Sequence, residues 1–178
     1  MRRLILGLLV IAVLAWLLWR WTAMPTREPT LGAVTDTVGV GFKAVHLFFA
    51  APSGDSLVSE AREMAEVQGL HERVSALVQA LGRGPTGRGV AALPAGTTVL
   101  HVYLDDRGRM TLDLSRAFQQ GFRGGANAEY LAVASLLRTI GANLPEVRSV
   151  LLVCGGSPLT TLGGHVPLDQ PIDVSALP

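Results

Sequence analysis

The sequence predicts an α+β fold, in which a mixed β-sheet carries two helices packed on one face and follows one N-terminal transmembrane helix. Three patterns lead to this prediction. Apolar and polar residues alternate in paired segments, which is typical of strands joined by hairpins. Two other segments repeat apolar residues at helical spacing. An uninterrupted apolar run lies at the start of the chain.

The N-terminal run is apolar from Leu4 to Trp19 and is flanked by Arg3 and Arg20. As a helix it extends about 24 Å at ~1.5 Å per residue, and the flanking arginine side chains can reach across much of the gap to the ~30 Å hydrocarbon core. We predict a cytoplasmic end at 1–3 and a transmembrane anchor at 4–21, which places the rest of the chain outside the bacterial cytoplasmic membrane. A cleaved signal peptide is the alternative, although no small-x-small site follows the run.

Charge and cysteine content exclude several classes of protein. The net charge is +1, but after residue 21 there are 12 basic residues against 14 acidic ones, or about −2. A nucleic-acid partner is not expected, because such binding needs a basic surplus. The only cysteine, Cys154, cannot form an internal disulfide or a cysteine-based zinc site by itself. We expect no metal and no cofactor.

The first half of the chain after the anchor contains a tether, a strand and a helix. Residues 22–42 are rich in Pro, Thr and Gly, which predicts a flexible tether. Residues 44–50 predict a strand that ends in a turn. Residues 57–66 fit either a helix or the second arm of a hairpin. The next segment predicts an amphipathic helix that ends at Gly82, because its apolar residues share one face: Leu70, Val74, Leu77, Val78 and Leu81.

The second half begins with the clearest hairpin of the chain, formed by 97–104 and 109–114 around a turn at 105–108. Strict alternation in both arms predicts one buried face, with Leu100, Val102 and Leu104 on the first arm and Met110, Leu112 and Leu114 on the second.

A second helix follows Gly124-Gly125, with Asn127 as its predicted N-cap. Its predicted buried stripe is Tyr130, Val133, Ala134, Leu137 and Ile140. Residues 147–154 predict a strand in the middle of a sheet. Residues 158–166 predict a last strand or turn, and the end of the chain is predicted to be a tail.

Several short signatures occur in a fixed order along residues 43–171. They are LGRGP at 81–85, LPAGT at 93–97, LDLSRAF at 112–118, Gly124-Gly125, LPEVRSV at 144–150 and GGHVPLDQP at 163–171. This series resembles the GerMN domain family of spore germination and sporulation proteins. The resemblance implies an extracytoplasmic α+β domain related in fold to ring-building motifs of envelope channels, with no known catalytic activity. It also favours a strand for 57–63, and it divides the chain into a GerMN-like domain at 43–171 and a tail at 172–178.

No set of residues satisfies the requirements of an active site. Ser157, His165 and Asp169 have the residue types of a catalytic triad, but no nucleophile elbow or oxyanion-hole signature accompanies them. The Asp113 and Ser115 side chains are better explained as caps of the turn that leads to Phe118.

The remaining candidates are also explained by structure alone. Asp105 and Asp106 are typical of a hairpin tip. His46, His71, His101 and His165 lack metal-ligand spacing, and Cys154 is expected to be buried. We therefore predict no catalytic, cofactor-binding or metal-binding residue and no enzyme activity.

The sequence as a whole predicts a membrane-anchored extracytoplasmic scaffold or interaction domain of the GerMN type, acting in sporulation, germination or cell-envelope assembly. Its expected partners are other envelope proteins or further copies of itself, contacted through a sheet edge. The alternative is a module that binds cell-wall glycans or modifies the envelope. All three tryptophans lie in the anchor, although Tyr103 and Tyr130 could contribute to a peptidoglycan contact.

Overall fold

The computed structural model describes residues 14–17, 19 and 41–176, in two compact units that divide after Val38. In the first unit the described residues are helical, and the large side chains of Trp16 and Trp19 are exposed. Most of the predicted anchor at 4–21 and tether at 22–42 lies outside the described residues. Within the described part of the chain, no helix combines the length and the apolar character needed to cross a membrane.

The second unit is α+β, as predicted, and contains seven strands and three helices among its described residues. The strands are β1 (Phe42–Ala50), β2 (Leu57–Ala65), β3 (Val99–Leu104), β4 (Arg109–Leu114), β5 (Ser149–Cys154), β6 (Ser157–Pro158) and β7 (Ile172–Asp173). The helices are α1 (Leu70–Gly82), α2 (Ala117–Gln120) and α3 (Ala126–Asn143). The segment that fitted either a helix or a strand is thus strand β2.

The strands form two sheets, so the prediction of a single mixed sheet is wrong. Sheet A is the antiparallel hairpin β1–β2, in register from Phe42 opposite Ala65 to Ala50 opposite Leu57. Sheet B has the order β3-β4-β5-β6, with β7 also paired to β5. It is mixed, because β4 and β5 run parallel while the other pairs run antiparallel.

One apolar core joins both sheets to α1 and α3. Sheet A contributes Val45, Leu47 and Phe49, while β4 and β5 contribute alternate residues such as Leu112 and Leu152. The predicted buried face of α1 is confirmed for its last four members, and Leu70 is partly buried against the same core.

Helix α3 differs from its prediction in its start and in its buried surface. Gly125 is its N-cap, and Asn127 lies in the first turn, where its side-chain amide donates a hydrogen bond to the Gly54 carbonyl. Tyr130 is only partly buried, whereas Leu131, Ala132 and Leu136 are buried outside the predicted stripe. The helix is buried on most of its circumference because it packs along sheet A as well as into the common core.

The β3–β4 hairpin is confirmed, but two of its side chains do not follow strict alternation. The register shifts between Val99 and His101, so Leu100 is 40% exposed. Asp113 is buried on β4, although its position in the pattern assigned it to the solvated face. Near the C-terminus, Ile172 and Asp173 of the predicted tail pair with β5 as strand β7.

Candidate functional site

The outer edge of β2 is an open strand edge. The backbone groups of His46, Phe48 and Ala50 point away from β2, since their bonds go to other parts of the chain. In an antiparallel pair, the β2 residues directly opposite these three also turn their backbone N–H and C=O groups away from β1. Five β2 residues therefore present N–H and C=O groups at the outer edge, and none of these groups has a partner within residues 41–176: Leu57, Ser59, Ala61, Glu63 and Ala65.

The outer edge of β1, in contrast, is closed by α3. Asn143 accepts a hydrogen bond from the His46 N–H at 3.0 Å and donates one to the His46 carbonyl at 2.7 Å. The Thr139 hydroxyl accepts from the Phe48 N–H at 3.0 Å, and the Ser135 hydroxyl donates to the Phe48 carbonyl at 2.5 Å. These three helix residues are spaced by four, so they lie along one face of α3. The side chains of α3 thus supply the backbone hydrogen bonds that a neighbouring strand would otherwise make with β1.

A charged network fixes the inner side of β2. Arg62 pairs with Glu60 and donates to the carbonyls of Ala80 and Gly84. Glu60 accepts from the hydroxyl and N–H of Thr86 at 2.7 and 3.0 Å. Hydrogen bonds, led by those from the Thr86 hydroxyl and the Arg62 guanidinium, lower the pKa of Glu60 to about 2. The network holds β2 against the loop after α1 while leaving the outer edge free.

A small cleft of about 70 Å³ lies under the end of sheet A where β2 finishes. Apolar side chains form much of its lining, with Met64 near the end of β2, Val67 just after that strand, and Ala76 and Leu77 from α1. Its charged lining residues are Lys43, Glu66 and Arg73. Arg73 is paired with Glu146 at 2.9 Å.

The three residues of the triad type have separate environments. Ser157 is exposed on β6, and Asp169 is exposed in the segment before β7. His165 lies in the loop at 159–171 between β6 and β7, called the closing loop, where its ring Nδ1 is 3.0 Å from an oxygen of Glu129. Neither Ser157 nor Asp169 has a described hydrogen bond to His165.

Glu129 is the charged residue whose role the sequence did not reveal. It is fully buried in the first turns of α3, and its carboxylate accepts N–H bonds from Leu162 and His165, each at 2.9 Å. Burial raises the pKa of Glu129, but hydrogen bonds from the backbone of loop residues 162, 163, 165 and 166 outweigh this effect and lower it to about 2. The only sequence signal was an acidic residue in the first turn of a helix, which is common. Glu129 therefore anchors the closing loop to α3.

The other polar candidates have structural contacts. The Asp113 carboxylate accepts the Gly156 N–H at 3.1 Å, which explains its burial and shows that it does not cap the turn. Ser115 accepts from the Thr98 N–H at 3.0 Å. Asp105 accepts N–H bonds from Arg107 and Arg109, and these bonds help to lower its pKa, led by that from Arg109.

Cys154 is buried, as the sequence predicted. His46 and His101 are exposed on strands. Within the described residues, no group of three or more His, Cys, Asp or Glu side chains is arranged to hold a metal ion.

Comparisons with solved structures show the fold. The tandem GerMN domains of the sporulation protein GerM from Bacillus subtilis are similar with a TM-score of 0.61 and 18% identity, over 75% of this chain and 46% of that one. The first GerMN domain of the same protein gives a TM-score of 0.56 and 19% identity, over 74% and 97%. A candidate lipoprotein from Clostridium perfringens is similar with a TM-score of 0.53 and 21% identity, over 75% of this chain and 89% of that one.

The family comparison agrees with the fold. No curated protein matches the chain. The family model Germane, described as "Sporulation and spore germination", matches residues 46–160, which is more than half of the sequence. The predicted resemblance to GerMN domains is thereby confirmed, and the chain belongs to the Germane family of sporulation and spore germination domains.

Proposed function

We propose that this chain is a membrane-anchored, extracytoplasmic interaction domain of the GerMN type, which holds other envelope proteins in place during sporulation, germination or envelope assembly. The predicted anchor at 4–21 acts as a single membrane span with its N-terminus in the cytoplasm. The domain works by protein–protein contact and not by catalysis.

The open edge of β2 is the observation that carries this proposal. An unpaired strand edge is a template for strand addition, and soluble domains normally cover or interrupt it. The β1 edge is covered by Asn143, Thr139 and Ser135, whereas the outward backbone groups of five β2 residues have no partner among the described residues. The exposed side chains of Ser59, Ala61 and Ala65 are small. They therefore offer little steric hindrance to a partner strand that pairs with the outer edge of β2.

The comparisons support an envelope location. One solved structure with a similar fold is a candidate lipoprotein from Clostridium perfringens. In this chain the N-terminal apolar run attaches the domain to the membrane. The sporulation setting is supported by the family to which residues 46–160 belong.

Photocrosslinking in the native membrane tests the proposal. A photoreactive amino acid replaces Ser59 on the open edge, and a matched variant carries it at Gln119, which is also exposed but lies on α2. We expect a specific envelope protein to crosslink at Ser59 and not at Gln119. Equal crosslinking at the two positions, or none at Ser59 in membranes that contain the intact chain, would refute the proposal.

A proline variant tests whether the edge itself makes the contact. Ala61→Pro removes an N–H that points outward, so the β1–β2 hydrogen bonds are kept. Ala44→Pro is the matched control, because the Ala44 N–H also points away from the paired strand but lies on β1. We expect the Ser59 crosslink to be lost in the first variant and kept in the second.

A glycan-binding function is supported by one observation. Tyr103 is 67% exposed on the outward face of sheet B, opposite Thr111. Exposed aromatic rings can stack on sugars. Cosedimentation with purified peptidoglycan, lost in Tyr103→Ala and kept in Tyr130→Ala, would favour this second function.

A further inference from the structure

We infer that the cleft at the end of β2 selects the partner segment, by taking one apolar side chain of an extended strand that also carries a carboxylate two residues away. This inference rests on the proposed function, because it assumes that the segment pairs with β2. The occupant is an extended segment of another envelope protein, and a second copy of this chain is the competing outcome.

The cleft is placed where an added strand would pass. Met64 and Ala65 end β2 and line the cleft, and the outward-pointing backbone groups of Glu63 and Ala65 lie beside them. A strand paired to these groups directs every second side chain to the inner side of sheet A, where α1 lies. Main-chain bonds then provide affinity, and the cleft provides side-chain selectivity.

The lining of the cleft suits an apolar side chain. Leu77 and Leu144 are nearly fully buried at its base, and Met64, Val67 and Ala76 are partly exposed around them. The partly exposed apolar surface of these residues would be removed from water by an occupant, which favours binding. Ala76 is the smallest of the three, so it leaves space on the α1 side.

Charge at the mouth points to a carboxylate on the partner. Lys43 pairs in register with Met64 and lines the cleft, and it forms no salt bridge with any described residue. Arg73 is already paired with Glu146. A Glu66 oxygen would lie 3.0 Å from a Cβ added at Gly41, and Glu66 forms no salt bridge with Lys43. The Lys43 ammonium is thus the cation at the mouth that still lacks an acidic partner, and residues two apart on a strand share a face.

Binding of three labelled peptides to the full chain in detergent micelles tests the inference. The reference peptide is short and rich in valine and threonine, with one leucine and an aspartate two residues later. A second peptide has alanine in place of the leucine, and a third has lysine in place of the aspartate. Fluorescence anisotropy measures each affinity.

We expect the leucine peptide to bind about tenfold more tightly than the alanine peptide, as burial of several methyl and methylene groups implies. Ala76→Leu fills the cleft and should remove this preference while the alanine peptide binds as before. Lys43→Glu should reverse the preference between the aspartate and lysine peptides. Both peptides are compared on the same variant, so a loss of folded protein would affect the two affinities equally. Ala61→Pro should abolish binding of all three peptides, and Ala44→Pro should not.

The possible failures are distinguishable. If Ala61→Pro abolishes binding but Ala76→Leu leaves the leucine preference unchanged, the cleft inference is wrong and strand addition at β2 stands. If Ala61→Pro changes nothing, pairing at β2 is wrong as well. If no peptide binds, and size exclusion shows a dimer that Ala61→Pro dissociates, a second copy occupies the edge and the inference is overturned.

Discussion

Replacing Glu129 by glutamine should destabilise the domain by about 3 kcal/mol at pH 7. The carboxylate is fully buried and accepts N–H bonds from Leu162 and His165. Lowering its pKa from 4.5 to about 2 corresponds to about 3 kcal/mol of stabilisation of the folded state. Two charge-assisted hydrogen bonds at ~1.5–3 kcal/mol each lead to a similar figure.

The effect has a defined dependence on pH. Because the folded-state pKa of Glu129 is depressed, its contribution is present above pH 4.5 and is lost as the pH falls towards 2. The difference in unfolding free energy between the wild type and Glu129→Gln should shrink from about 3 kcal/mol at pH 7 to less than about 1 kcal/mol at pH 2.

Urea unfolding of the full chain in a non-denaturing detergent, followed by circular dichroism, measures this difference. Glu146→Gln is the matched control, since Glu146 is an exposed carboxylate paired with Arg73 and should contribute less than about 1 kcal/mol. If Glu129→Gln were no more destabilising than the control, or if its effect were the same at pH 7 and pH 2, the carboxylate would not anchor the closing loop.

Three further variants test other parts of the fold by the same unfolding measurement. Thr139→Val removes the acceptor of the Phe48 N–H and should cost about 1–3 kcal/mol, and no loss would mean that α3 does not cap β1. Gly108→Ala should cost more than about 1 kcal/mol, because its φ is 80° and an added Cβ would lie 2.7 Å from a backbone oxygen; Gly125→Ala, which has open space, should cost less. Leu47→Ala should cost about 2–5 kcal/mol, since Leu47 is fully buried, and a value below 1 would place it outside the core.

Local patterns predicted the elements because each depends on residues close together in the chain. The face of α1 that carries Val74, Leu77 and Leu81 is buried as its spacing indicated. The hairpin of β3 and β4 follows from its alternation and from the Asp105 turn. The ordered GerMN signatures identified the family, which residues 46–160 confirm.

The errors arose where distant segments meet. Asp113 is buried because the Gly156 N–H, 43 residues later, binds its carboxylate. The N-cap of α3 is Gly125 and not Asn127, since the Asn127 side chain is used by the carbonyl of Gly54. Leu100 is exposed because the strand register shifts beside it.

The sequence by itself determined the α+β class, the main strands and helices, the family and the absence of a recognisable catalytic motif. The tertiary structure alone decided that the strands divide into two sheets, because Ser135, Thr139 and Asn143 satisfy the edge of β1 from a helix more than 85 residues away in the chain. It also decided that β2 is the open edge and that Glu129 holds the closing loop. Hydrogen bonds between residues far apart in sequence leave no periodic pattern, so only the folded chain reveals which groups they satisfy and which they leave free.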